Sequence, residues 1–120
     1  MKLMPQEIEV RYILPALRKG FALALSKEGL KQKEIAEQLN ITPAAVSQYL
    51  KQKRGTTSFP QKIEKEISKS IKLILKNKST AHKELYKISK KIRHTSTICE
   101  IHRMHDDVPN KCKICFQNDN

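Results

Sequence analysis

All three cysteines and two of the four histidines of this 120-residue chain fall in its last 22 residues. They read Cys99-x-x-His102, nine intervening residues, then Cys112-x-x-Cys115. Two such pairs joined by a short loop are the usual way to set four ligands tetrahedrally around one metal ion. A Cys-x-x-Cys pair lets two thiolates chelate from one turn, and Pro109-Asn110 before it shapes that turn. Three thiolates with one imidazole suit Zn2+, which would order a tail too short to fold alone. His105 is a possible substitute for His102. An iron–sulfur cluster is the rival cofactor, but clusters are more often held by four thiolates, and this chain has no fourth cysteine. A metal-free alternative is a thiol switch through Cys112 and Cys115. His82 and His94 read as ordinary surface histidines. Asp106 and Asp107 lie between the ligand pairs without forming an acid/base cluster, so an enzyme with a catalytic zinc finds little support.

A second set of residues suits hydrogen bonding to nucleic-acid bases. Residues 32–50, QKEIAEQLNITPAAVSQYL, end in a segment that exposes Thr42, Ala44, Ala45, Ser47 and Gln48. Gln pairs with adenine in a bidentate way, Ser and Thr bond to bases or phosphates, and Ala meets the thymine methyl. Small residues at 44 and 45 also let a helix sit deep in the major groove. Gln32, opening the preceding helix, is placed for a phosphate. Lys51, Lys53 and Arg54 follow at once and suit the phosphate backbone, giving affinity without sequence choice.

The elements that must position these residues are all helical. Pro5 can open a first helix, and Pro15 either kinks it or opens the next. Leu17, Phe21, Ala24 and Leu25 recur at helical spacing until Gly29 supplies a stop. Residues 31–39 form a short helix with Ile35, Ala36 and Leu39 on one face. Asn40-Ile41 is a tight turn, since Asn tolerates positive φ, and Thr42-Pro43 pairs an N-cap with a proline at the first helical position. The next helix carries Val46 and Leu50 inward and ends near Arg54-Gly55. After a short linker, Pro60 opens a helix with Ile63, Ile67, Ile71 and Ile74 in one stripe. A polar break at residues 77–80 follows, where Ser79 or Thr80 caps a helix bearing Leu85, Ile88 and Ile92. After His94 the helical pattern stops.

In residues 15–55 the chain resembles the Cro/repressor-type (XRE-like) helix-turn-helix regulators. Gln32, Ile35-Ala36, Leu39, Val46-Ser47 and Tyr49-Leu50 fit that pattern in register, while Asn40 stands where Gly is commonest. With the cysteine tail included, the chain is similar to small archaeal-type regulators of this class. The resemblance implies two half-sites on a palindromic double-stranded DNA operator. The isoleucine stripe is expected to form the homodimer surface, since so small a domain leaves little core to cover so long a helix; the competing use of the stripe is packing on the chain's own core.

Composition narrows the remaining choices. Lys and Arg number 24 against 12 acidic residues, a net charge of +12; 38% of residues are apolar and there is no Trp. So thin a core argues against a large α/β enzyme with a deep pocket, and the charge points to a polyanion. Residues 51–94 hold fourteen basic and three acidic residues, so the excess sits just behind the segment expected to read bases. Glu7, Glu9 and Arg11 interrupt any signal-peptide pattern and no apolar run spans a membrane, which predicts a cytoplasmic protein. The expected fold class is therefore all-α: a helix-turn-helix DNA-binding domain (residues 1–57), two amphipathic helices for dimerisation (58–94) and a small Cys/His metal-binding tail (95–120). The expected function is sequence-specific transcriptional regulation, without enzymatic activity. The alternative is an RNA- or ribosome-associated zinc-binding module using the Lys-rich helices.

Overall fold

The computed structural model describes residues 3–51, 59–95 and 97–105, and helices connected by turns account for all of them. A four-residue helix, α1 (Pro5–Ile8), runs through a π-helical stretch (Glu9–Ile13) into α2 (Leu14–Lys27). The π turn has a local cause. Pro15 has no N–H, and its ring would crowd the Arg11 carbonyl one helical turn back. The chain widens before it, so the Leu14 N–H reaches back five residues to the Glu9 carbonyl. The disturbance expected at Pro15, a kink or a new helix, is thus a wide turn through which the helix continues.

Along this rod Ile13, Leu17, Phe21 and Leu25 are completely buried at four-residue spacing. The rod ends at Gly29, whose φ of 92° is one that glycine adopts without steric cost. The Leu30 N–H then bonds the Leu25 carbonyl and the Gly29 N–H bonds the Ser26 carbonyl, closing the helix end. Two eight-residue helices follow, α3 (Gln32–Leu39) and α4 (Pro43–Leu50), both packed on α2. Then come α5 (Gln61–Leu75), α6 (Ala81–Arg93) and α7 (Thr97–His105). No helix among the described residues is long and apolar enough to cross a membrane.

One core joins every helix, and this corrects two expectations. Ile63, Ile67, Ile71 and Ile74 are each only 4–5% exposed within a single chain, held between α2 and α6. Burying each contributes about 1.5–3 kcal/mol, so uncovering the stripe for a partner would cost most of what holds α5 in place. The stripe is therefore internal packing and not a homodimer surface. The helical pattern also resumes after His94. Ile98 and Ile101 of α7 are about 1% exposed, and α7 rests on α1 and α6. The start of the tail is thus part of the helical core.

Candidate nucleic-acid interface

The α3–α4 pair is built by local chemistry at its turn. Asn40 ends α3 in the left-handed conformation, with φ 55° and ψ 43°, and the Ile41 N–H bonds back to the Ala36 carbonyl. Thr42 starts α4: its Oγ1 accepts the Ala45 N–H at 3.1 Å, and Pro43 occupies a position where no N–H is needed. At the front of α3 the Lys31 N–H donates to Glu34 Oε1 at 3.0 Å. Ile35, Ala36 and Leu39 of α3 and Val46 and Tyr49 of α4 point into the core. Tyr49, expected only to close the motif, is 3% exposed and fills the place assigned to Leu50, which is only half-buried.

What α4 leaves outside is small and uncharged. Thr42, Ala44 and Gln48 are exposed, and Ala45 and Ser47 are half-buried beside them. Gln32 is exposed at the start of α3, and Lys51 is exposed immediately after α4. The structure thus brings seven of the nine expected nucleic-acid-facing residues onto α3, α4 and the residues that immediately flank α4. The other two, Lys53 and Arg54, lie outside the described residues. Lys31 and Lys33 add exposed cations at the start of α3. Gln38, on the same helix, accepts the Ala81 N–H through Oε1 at 3.4 Å. This contact ties α3 to the first turn of α6.

Of the four expected metal ligands, Cys99 and His102 lie within α7, one helical turn apart. Their exposures are 6% and 2%. Cys112 and Cys115 lie outside the described residues, as do Asp106 and Asp107, and the described residues alone contain no group of three or more metal-ligating side chains. Thr97 Oγ1, at the start of the same helix, is buried without a hydrogen-bond partner among the described residues.

Two polar contacts were not anticipated from the sequence. Glu84 is 4% exposed, accepting from Ser70 Oγ at 3.0 Å and Ser79 Oγ at 2.6 Å, with Lys87 Nζ at 3.4 Å. Burial is the largest single influence on its pKa and pushes it up. The two serine hydroxyls and the Lys87 charge together outweigh burial and hold the carboxyl below its ordinary value. The signal for this site was positional: Glu84 falls in the apolar stripe of α6 and Ser70 in that of α5. The second contact is Arg93, whose Nη2 and Nε reach Glu9 Oε1 and Oε2 at 2.7 and 3.2 Å. That fork clamps α6 to the start of the π turn, and 84 residues of separation hid it.

No family model, curated protein or solved structure matches this chain.

Proposed function

We propose that the chain is a sequence-specific regulator of transcription that reads duplex DNA with α3–α4 used as a helix-turn-helix. One observation carries this reading. An uncharged, small-residue face of α4 stands exposed while the opposite face is fixed in the core through Val46 and Tyr49. A recognition helix needs a rigid mount and side chains that bond to base edges without a charge that would grip phosphate anywhere. Gln48 and Thr42 supply the hydrogen-bonding groups, Ala44 and Ala45 the close approach, and Gln32, Lys51, Lys53 and Arg54 the backbone contacts. Two copies on a palindromic operator suit so short a reading surface, with a dimer contact that leaves the buried isoleucine stripe intact.

Cys99 and His102, one turn apart on α7, fit as one pair of zinc ligands, with Cys112 and Cys115 as the other. The metal would pin the C-terminal segment to a helix already seated in the core. Elemental analysis of anaerobically purified protein is expected to find stoichiometric zinc and no visible absorption. Iron with a broad visible band would replace zinc by an iron–sulfur cluster.

The function itself is tested by fluorescence anisotropy with duplex DNA and RNA of varied sequence. Affinity that depends on duplex sequence and falls steeply with salt is expected. Equal binding to any RNA, without preference for a duplex sequence, would favour the RNA-associated alternative.

A further inference from the structure

A cavity of about 290 Å³ opens where α2, the end of α3 and α6 meet. Its size is near the lower limit for small-molecule sites. Its floor is aliphatic, formed by Leu14, Leu39 and Leu85. Its polar wall consists of Arg18, His82, Tyr86 and Ser89, with the Glu9–Arg93 pair at one side.

The charge in this wall is unevenly spent. Arg93 is paired with Glu9 through hydrogen bonds of 2.7 and 3.2 Å, and the Ser89 hydroxyl donates to the Tyr86 carbonyl at 2.9 Å. Arg18, half-buried in the same lining as the three leucines, makes no ion pair among the described residues, so its charge is not matched by a carboxylate there. A guanidinium suits a carboxylate, which it can hold through two parallel hydrogen bonds. Glu9, which shapes the cavity, also begins the π-helical stretch, and such stretches occur frequently at functional sites.

We propose that this cavity binds a small organic carboxylate with an apolar body, its carboxylate on Arg18 and its body against Leu14, Leu39 and Leu85. Leu39 is the last residue of α3 and directly precedes the Asn40 turn, so occupancy is felt where α3 passes into α4. The consequence for DNA affinity rests on the function proposed above. The binding itself does not.

The test is NMR titration of the full chain with benzoate, benzyl alcohol and inorganic phosphate. Benzoate is expected to shift the Leu14, Leu39 and Leu85 methyl signals and the Asn40 amide saturably, at millimolar or lower concentration. Benzyl alcohol, which lacks the charge, and phosphate, which lacks the apolar body, should each bind about tenfold or more weakly. Arg18→Gln should lose benzoate binding by a similar factor, while Arg18→Lys retains part of it. A folded Leu85→Trp variant, filling the floor, should lose it as well. The proposal is overturned by the absence of saturable shifts with benzoate, by equal binding of benzyl alcohol or phosphate, or by unchanged benzoate binding in Arg18→Gln. Benzoate binding in a chain that shows no sequence-dependent DNA affinity would defeat the regulatory reading and leave the cavity assignment standing.

Discussion

The two halves of this fold use polar residues in opposite ways. In α3–α4 the exposed face of α4 carries Thr42, Ala44 and Gln48 and no charge, and the cations stand at its ends, at Lys31, Lys33 and Lys51. In α5–α6 the exposed faces are dense with lysine, while the shared interior holds a carboxylate, Glu84, among isoleucines. A cation within α4's exposed face would hold phosphate wherever it met it. A lysine-covered helix pair can supply attraction at a distance without choosing a sequence. Under the proposed function the first surface serves selection and the second affinity, and the Gln38–Ala81 contact joins them.

The largest effect should come from the buried side of the lysine-rich half. Ile71→Ala should lower stability by about 2–5 kcal/mol, read from chemical denaturation. The loss should be independent of protein concentration, because Ile71 packs within one chain. A loss that shrinks as concentration rises would return the stripe to a dimer interface.

Glu84→Gln comes next, at about 1–3 kcal/mol near neutral pH, because Ser70 and Ser79 each lose a charged acceptor. The folded pKa of Glu84 lies below its ordinary value, so the carboxylate stabilises the fold above the unfolded pKa, and that contribution fades as pH falls through the folded pKa. Denaturation curves of wild type and Glu84→Gln should therefore converge in acid. A constant gap from neutral to strongly acidic pH would contradict the charged network.

On the selective half, Gln48→Ala should cost about 1–3 kcal/mol of discrimination at one base position and little affinity for unrelated duplexes. Lys51→Ala should give the smallest change. Affinity should drop modestly and uniformly across sequences, and the slope against log salt should flatten by about one. If Lys51→Ala altered base preference and Gln48→Ala did not, the division of labour would be reversed.

What the sequence revealed follows the range of the forces involved. Gly29, Asn40 and the Thr42-Pro43 start are governed by steric and hydrogen-bonding demands within a few residues, and each sits as its chemistry predicts. Thr80 likewise caps α6, through Oγ1 on the Lys83 N–H at 3.2 Å. Ser79, the other candidate, bonds Glu84 instead. The π turn was less legible, since Pro15 signals a disturbance without saying whether the helix breaks or widens. The sequence left two partners for the isoleucine stripe, a second copy or the chain's own core, because periodicity shows that a face is apolar and not what covers it. In α7 two patterns overlap: Cys99 and His102 have ligand-like spacing, while the neighbouring Ile98 and Ile101 are the residues that carry the segment into the core. The face of α4 was legible in its middle, where the period that buries Val46 exposes Ala44 and Gln48, but not at its end, where Tyr49 and not Leu50 turns inward.

Selection of bound duplexes from a random-sequence library, with the full chain and with Gln48→Ala, tests the central claim most directly. Wild type should enrich a defined motif, and Gln48→Ala should enrich the same motif with one position relaxed. Enrichment of no motif by wild type, with equal affinity for all duplexes, would contradict the assignment of α4 as a reading helix.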